Sequence, residues 1–138
     1  MSDPQSVLCF TGFLLFMLGL LNGFVIPLGR SPRIGLSAHL AAVQSGTFLI
    51  AAGLLWPKIG LWPAWSGVVA DLLWISLYAV WLSLLLGGLF GAGSGLPIAG
   101  QGITTTPAKQ LIVSILLIGG SLGTLVAAAA VLVGWHWA

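Results

Sequence analysis

The chain has 138 residues, of which 59% are hydrophobic and only 4% charged, and its formal net charge is +2. A soluble domain carries about a quarter charged residues, so this composition excludes one and assigns the chain to a lipid bilayer. It also excludes nucleic-acid binding, because the basic pI rests on four Lys and Arg against two acidic residues, while a single cysteine, Cys9, excludes an internal disulfide.

Four apolar stretches follow one another, at about 7–28, 36–56, 63–90 and 107–135. A helix rises about 1.5 Å per residue, so about 20 residues cross a hydrocarbon core of about 30 Å. None of the stretches alternates polar and apolar residues as a membrane barrel strand does. The expectation is an all-α integral membrane protein, one domain over 1–138, built as a four-transmembrane-helix antiparallel bundle. No Lys or Arg precedes the first stretch, which is therefore read as a retained span and not a cleaved signal. That stretch carries Asn22 and a GxxxG pair, Gly19 and Gly23, and Pro27, Gly29 and Pro32 are expected to close it. The second stretch stacks Ala38, Ala42 and Gly46, with His39, Val43, Gln44 and Ser45 between them, and closes at Pro57 and Gly60.

Pro63 suits the first turn of the third stretch, where Asp71, Trp74, Tyr78 and Trp81 follow helical spacing along one face. The glycine-rich segment Gly91 to Thr106 lacks the Gly-Lys-Ser/Thr ending of a P-loop and reads as a flexible loop or lid. Thr106 and Pro107 form an N-cap and first-turn pair opening the fourth stretch, on which Gly119, Gly123 and Ala127 recur at helical spacing. Stripes of small residues let helix backbones approach closely in lipid. Trp56, Trp62, Trp65, Trp135 and Trp137 all fall at one membrane face in this topology, as an interfacial aromatic belt requires. Arg30, Arg33 and Lys109 fall at the other, which favours loops one and three in the cytoplasm, and a bacterial inner membrane is the expected location.

Polar groups inside apolar spans are the functional candidates, because hydrocarbon penalises them. His39 projects over the small residues Ala42, Val43 and Gly46, a face suited to haem ligated through the ring; the alternative is a histidine that hydrogen-bonds a neighbouring helix. His136 lies at the opposite face, which disfavours a second axial histidine and leaves one axial position open. Asn22, Ser45, Trp74, Tyr78 and Trp81 fall in the same half of the bundle and form a candidate aromatic pocket, unless the two tryptophans simply face lipid or core. Asp71 is either a proton carrier or a structural acceptor for a neighbouring indole or hydroxyl.

The segments Gly12-Phe13-Leu14-Leu15-Phe16, Gly19-Leu20-Leu21, Gly23-Phe24 and Pro32 through Leu40 resemble the start of a hydroxylaminobenzene mutase. Gly46 through Leu49, Gly53 through Pro57, Tyr78-Ala79 with Trp81, Gly91-Ala92-Gly93 and Pro97 through Gly100 extend the resemblance over nearly the whole chain. A more distant resemblance is to styrene oxide isomerase. The resemblance implies an isomerase, without external electrons, that converts an N-aryl hydroxylamine to 2-aminophenol. It implies a homotrimer with ferric haem b, bound as a Lewis acid, between subunits, and His39 as the iron ligand. With helix depth it marks Tyr78, Asn22 and Ser45 as the catalytic candidates that hold the migrating oxygen, Ala42, Val43 and Gly46 as cofactor contacts, and Trp74 and Trp81 as the substrate pocket. The family pattern often has glutamate and asparagine where this chain has Ala41 and Ser45, and asparagine where it has Val80, which implies a simpler site or weaker turnover. A non-catalytic haem-binding membrane protein and a small proton-coupled transporter using Asp71 are the alternative readings.

Overall fold

Among the described residues every α-helix starts on a proline. The computed structural model describes residues 3–96 and 98–136; Pro97 and Trp137, both used in the sequence reading, lie outside the described residues. The helices are α1 (Pro4–Val25), α2 (Pro32–Leu55), α3 (Pro63–Phe90) and α4 (Pro107–His136). Proline suits the first helical position because its missing N–H would be unpaired there and its φ is already helical. The residue before it supplies the cap where its side chain can accept a hydrogen bond: Asp3 accepts from the Ser6 N–H (3.1 Å), and Ser31 from the Ile34 N–H (3.4 Å). Pro32 therefore opens the second helix; it does not close the first. The first helix ends at Val25 and passes through a 3-10 turn over Ile26–Leu28. The pair Ser31-Pro32 carries the same signal as Thr106-Pro107, and it lengthens α2 by one turn over the sequence expectation.

All four helices are long and apolar enough to cross a membrane. Tertiary hydrogen bonds fix their alternating directions. Gly60 N–H donates to the Gly134 carbonyl (3.1 Å), so the second loop and the end of α4 share one face. Ser31 N–H donates to the Gly88 carbonyl (3.0 Å), so the first loop and the end of α3 share the other. Trp56 is buried with its indole N–H on Ser66 Oγ (2.9 Å), whereas Trp62, Trp65 and Trp135 are exposed. The aromatic belt thus holds for those three, and Trp56 instead staples loop two to α3.

α1, α2 and α3 pack on one another, while α4 packs chiefly on α3. The α1–α2 seam is made by backbone against backbone. A Cβ on Gly46 would lie 2.6 Å from Phe16 N and 2.7 Å from the Gly12 carbonyl, and one on Gly19 would lie 2.8 Å from Ala42 Cβ. The α3–α4 seam uses Gly120, where a Cβ would meet the Ser76 carbonyl at 2.8 Å, and Gly123, which also abuts Ser76. Gly119, expected in that stripe, meets nothing within 4 Å. A cleft of about 310 Å³ remains between α2 and α4, lined by Phe48, Leu55, Leu73, Leu132 and Trp135 among others.

The glycine-rich third loop is packed, not free. Gly91 ends α3 in the left-handed conformation (φ 70), which a residue with a Cβ adopts at a cost. Gly93 and Gly100 touch backbone to backbone, and Ser94 binds Gln110 Oε1 through both its N–H (3.1 Å) and its hydroxyl (2.7 Å). Leu96 and Ala99 of this loop cover a cluster of Ile34, Ala38 and Leu84. At the same end Lys109 Nζ sits 4.8 Å from the Phe90 ring centroid.

Adjacent glycines on α4 give a matched test. Gly120→Ala should destabilise the protein by about 1–3 kcal/mol through forced displacement of α3, whereas Gly119→Ala, in open space, should be neutral or slightly stabilising. Thermal unfolding of both variants in detergent measures the difference; equal effects would refute this seam.

Candidate active site

α2 begins at Pro32, so His39 lies about 10 Å inside the span, at about 1.5 Å per residue. Its Nδ1 is 2.7 Å from the Gly19 carbonyl oxygen on α1. A carbonyl only accepts, so Nδ1 carries the proton and the Nε2 lone pair is left for another partner. The ring lies along Gly23, where a Cβ would stand 3.5 Å from Nδ1 and 3.6 Å from Cε1. The Gly19/Gly23 pair therefore serves two ends: Gly19 admits α2, and Gly23 leaves the imidazole its place. Val43 lies beside His39 at the edge of the seam and is partly buried. Ala42 and Gly46 are fully enclosed by α1, so the open small-residue platform expected around His39 is closed by the chain's own first helix.

The aromatic row on α3 is present. Trp74 and Tyr78 meet edge to face at 5.6 Å between ring centroids, and Tyr78 and Trp81 at 6.2 Å. Trp74 Nε1 donates to Asp71 Oδ1 (3.1 Å), so Asp71 serves as the acceptor of an indole. Tyr78 Oη donates to the Thr11 carbonyl on α1 (2.7 Å). Nothing in the sequence marks Thr11 for this, because the group used is a backbone carbonyl. Trp81 Nε1 is buried without a hydrogen-bond partner among the described residues.

Asn22 is buried, its Nδ2 3.4 Å from the Gly35 carbonyl. It borders a cavity of about 10 Å³ with Val25, Ile26, Gly88 and Leu89, so its first role is to brace the start of α2. Ser45 is partly buried, one turn beyond Ala41 on the α2 face that meets α3.

These groups do not all converge within one chain. His39 leans on α1, whereas Ala41, about 200° further round α2 at 3.6 residues per turn, packs with Val80 and Trp81 of α3. Along α1, the carbonyls that bind Tyr78 and His39 are eight residues apart, about 12 Å at 1.5 Å per residue. Ala41 and Val80 both pack against the apolar cluster of Ile34, Ala38 and Leu84 under loop three. Among the described residues no three His, Cys, Asp or Glu side chains converge to hold a metal ion. The donor set is a single imidazole with its Nδ1 anchored, which suits a metal whose other ligands arrive with it.

Fold and site together define a polytopic membrane protein with one anchored histidine on α2 and an aromatic row on α3. Residues 4–136 match the family model described as styrene oxide isomerase. The chain is 43% identical over 124 residues to hydroxylaminobenzene mutase HabB of Ectopseudomonas oleovorans, covering 89% of this chain and 76% of that protein. It is 42% identical over 114 residues to hydroxylaminobenzene mutase HabA of the same organism, covering 82% of this chain and 84% of that one. No solved structure matches it. The chain belongs to the styrene oxide isomerase family, and it is an enzyme of the isomerase class.

Tyr78 is the only tyrosine, which makes its bond to α1 separately testable. Tyr78→Phe should lower the unfolding free energy by about 1 kcal/mol, the net worth of one hydrogen bond, as measured by equilibrium unfolding in mixed micelles. No change would mean that the α1–α3 contact rests on the ring alone.

Proposed function

We propose that this protein is an intramembrane mutase that moves the hydroxyl of an N-aryl hydroxylamine to the ortho ring carbon, giving 2-aminophenol, with ferric haem b held by His39. The observation that carries the reading is the anchored imidazole: Nδ1 is committed to the Gly19 carbonyl, so Nε2 is the atom that would hold the haem iron. Both similar proteins named hydroxylaminobenzene mutase support the substrate class.

The rearrangement is internally balanced. The N–O bond breaks, a C–O bond forms, and the ring proton displaced from carbon returns to nitrogen, so no external electrons or atoms are needed. When bound, the ferric haem supplies a Lewis acid that weakens the N–O bond. The chain supplies the rest. Trp74, Tyr78 and Trp81 present aromatic rings that stabilise positive charge on the substrate ring. Tyr78 Oη has its proton on Thr11 and retains acceptor capacity for the migrating hydroxyl, and Ser45 both donates and accepts. Asn22 holds α2 at the depth that His39 requires. Apolar Ala41, Val80 and Leu84 keep out the bulk water that would divert the cation to other products.

His39 and Tyr78 are bound at carbonyls about 12 Å apart along α1, which supports a site completed by a second copy, with a homotrimer enclosing haem between subunits. Asp71 accepts from Trp74 within its own helix, which supports a structural role over proton carriage. The proposed location is a bacterial inner membrane.

Detergent-purified protein should show a haem absorption band that His39→Ala abolishes and His136→Ala leaves unchanged. A full, unshifted band in His39→Ala would remove the ligand assignment. Oxidised, haem-replete protein should convert hydroxylaminobenzene to 2-aminophenol with no nicotinamide, flavin or oxygen added, faster than the reduced form. Absence of product, with a related mutase active in parallel, would leave a non-catalytic haem protein.

A further inference from the structure

α4 leans on α3 and leaves α2, which opens the cleft of about 310 Å³ between α2 and α4. Its lining is apolar throughout, and Ala52 and Ala128, one on each wall, keep it wide. Phe48, Leu132 and Trp135 on its rim are exposed. The volume is about twice the ~150 Å³ of an engineered apolar cavity that holds benzene. A gap of this size beside acyl chains forfeits dispersion contacts along its walls unless something apolar enters it.

The depth of the cleft is that of one leaflet. Leu73, its innermost residue on α3, is ten residues beyond Pro63, about 15 Å from the loop-two face at 1.5 Å per residue. That is half of a hydrocarbon core of about 30 Å. The outer end lies at Ile59 and Trp135, among the interfacial tryptophans. Lys58, exposed and basic, immediately precedes Ile59 there. Arg30, Arg33 and Lys109 all belong to the opposite face. The acidic residue at the loop-two face, Asp3, is occupied in capping α1 through the Ser6 N–H and hydroxyl. α1 meets α2 at Gly46 and Gly53, about 140–160° round that helix from Phe48 at 3.6 residues per turn. The mouth of the cleft therefore carries a positive charge that α1 leaves free.

We propose that this cleft is a specific site for an anionic phospholipid. One acyl chain lies between α2 and α4 and ends near Leu73, while the headgroup phosphate rests on the Lys58 ammonium. An apolar slot one leaflet deep with a cation at its mouth matches a lipid at both ends. Phosphatidylglycerol suits it better than phosphatidylcholine, because the choline cation offsets its own phosphate beside Lys58. The bound chain joins α4 to α2, a contact that the protein's own side chains leave unmade. The site depends on neither haem nor turnover.

The test uses the full chain in proteoliposomes doped with phosphatidylglycerol or phosphatidylcholine carrying a diazirine midway along one acyl chain. After irradiation, peptide mass spectrometry should find Ala128 and Leu132 labelled in preference to Phe10, which is exposed on α1 in the same leaflet. Phosphatidylglycerol should label the cleft more than phosphatidylcholine does. Lys58→Gln, at an exposed position, should cut cleft labelling by phosphatidylglycerol about 5-fold, the usual weight of one basic residue near anionic lipid. Lys109→Gln, at the other face, should keep the preference. Ala52→Leu and Ala128→Leu narrow the cleft and should lower its labelling by both lipids. Equal labelling of the cleft and of Phe10, a phosphatidylglycerol preference that survives Lys58→Gln, or labelling unchanged by Ala52→Leu would each overturn the proposal. So would bis-maleimide cross-linking of two Leu132→Cys copies, in a Cys9→Ser background, with no lipid label in the cleft, since a second copy then fills it.

Discussion

The close approach of α1 and α2 at Gly12, Gly19 and Gly46 is the contact on which the rest of the molecule depends. In lipid, apolar side chains gain little from leaving one apolar surroundings for another, so helix association rests on close packing and hydrogen bonds. Glycine removes the side chain that would hold two backbones apart. Bringing α1 within reach of α2 is also what lets the His39 ring find the Gly19 carbonyl. One seam therefore sets both the packing of the pair and the tautomer of its histidine.

α3 is joined to this pair by a different means. Tyr78 reaches a backbone carbonyl of α1, Ser31 reaches the end of α3 through the Gly88 carbonyl, and a mixed cluster of Leu73, Leu77 and Leu49 fills the space between. Each of these hydrogen bonds uses a carbonyl, a group every residue carries. α4 rests on α3 through Gly120 and Gly123 and leaves its other face to the surroundings. The molecule is thus a tight three-helix unit with a fourth helix leaning on its third. Much of its apolar surface is free for lipid or for another copy.

That arrangement separates chemistry from scaffold in an informative way. Tyr78 of the aromatic row and the histidine are each held by a backbone carbonyl of α1, about 12 Å apart along that helix. Ala41 and Val80 both pack against one apolar cluster of Ile34, Ala38 and Leu84 under loop three.

Composition and spacing alone determined the solvent, the number of spans and the start of two of the four helices, at Pro63 and Pro107. Charge scarcity, apolar run length and proline at a first turn act locally and leave a direct trace in the residue order. His39 and the Asp71–Trp81 stripe were legible for the same reason, since helical periodicity places them without knowledge of any neighbour. Partners across helices were not legible. That Ala42 and Gly46 face α1, that Gly120 and not Gly119 seats α4, and that Tyr78 is tied to Thr11 follow from how the helices rotate about their axes. In a chain whose helices are apolar on nearly every side, no amphipathic pattern records that rotation. Only backbone-to-backbone fit at the glycines decides it, and that fit exists only in the folded molecule.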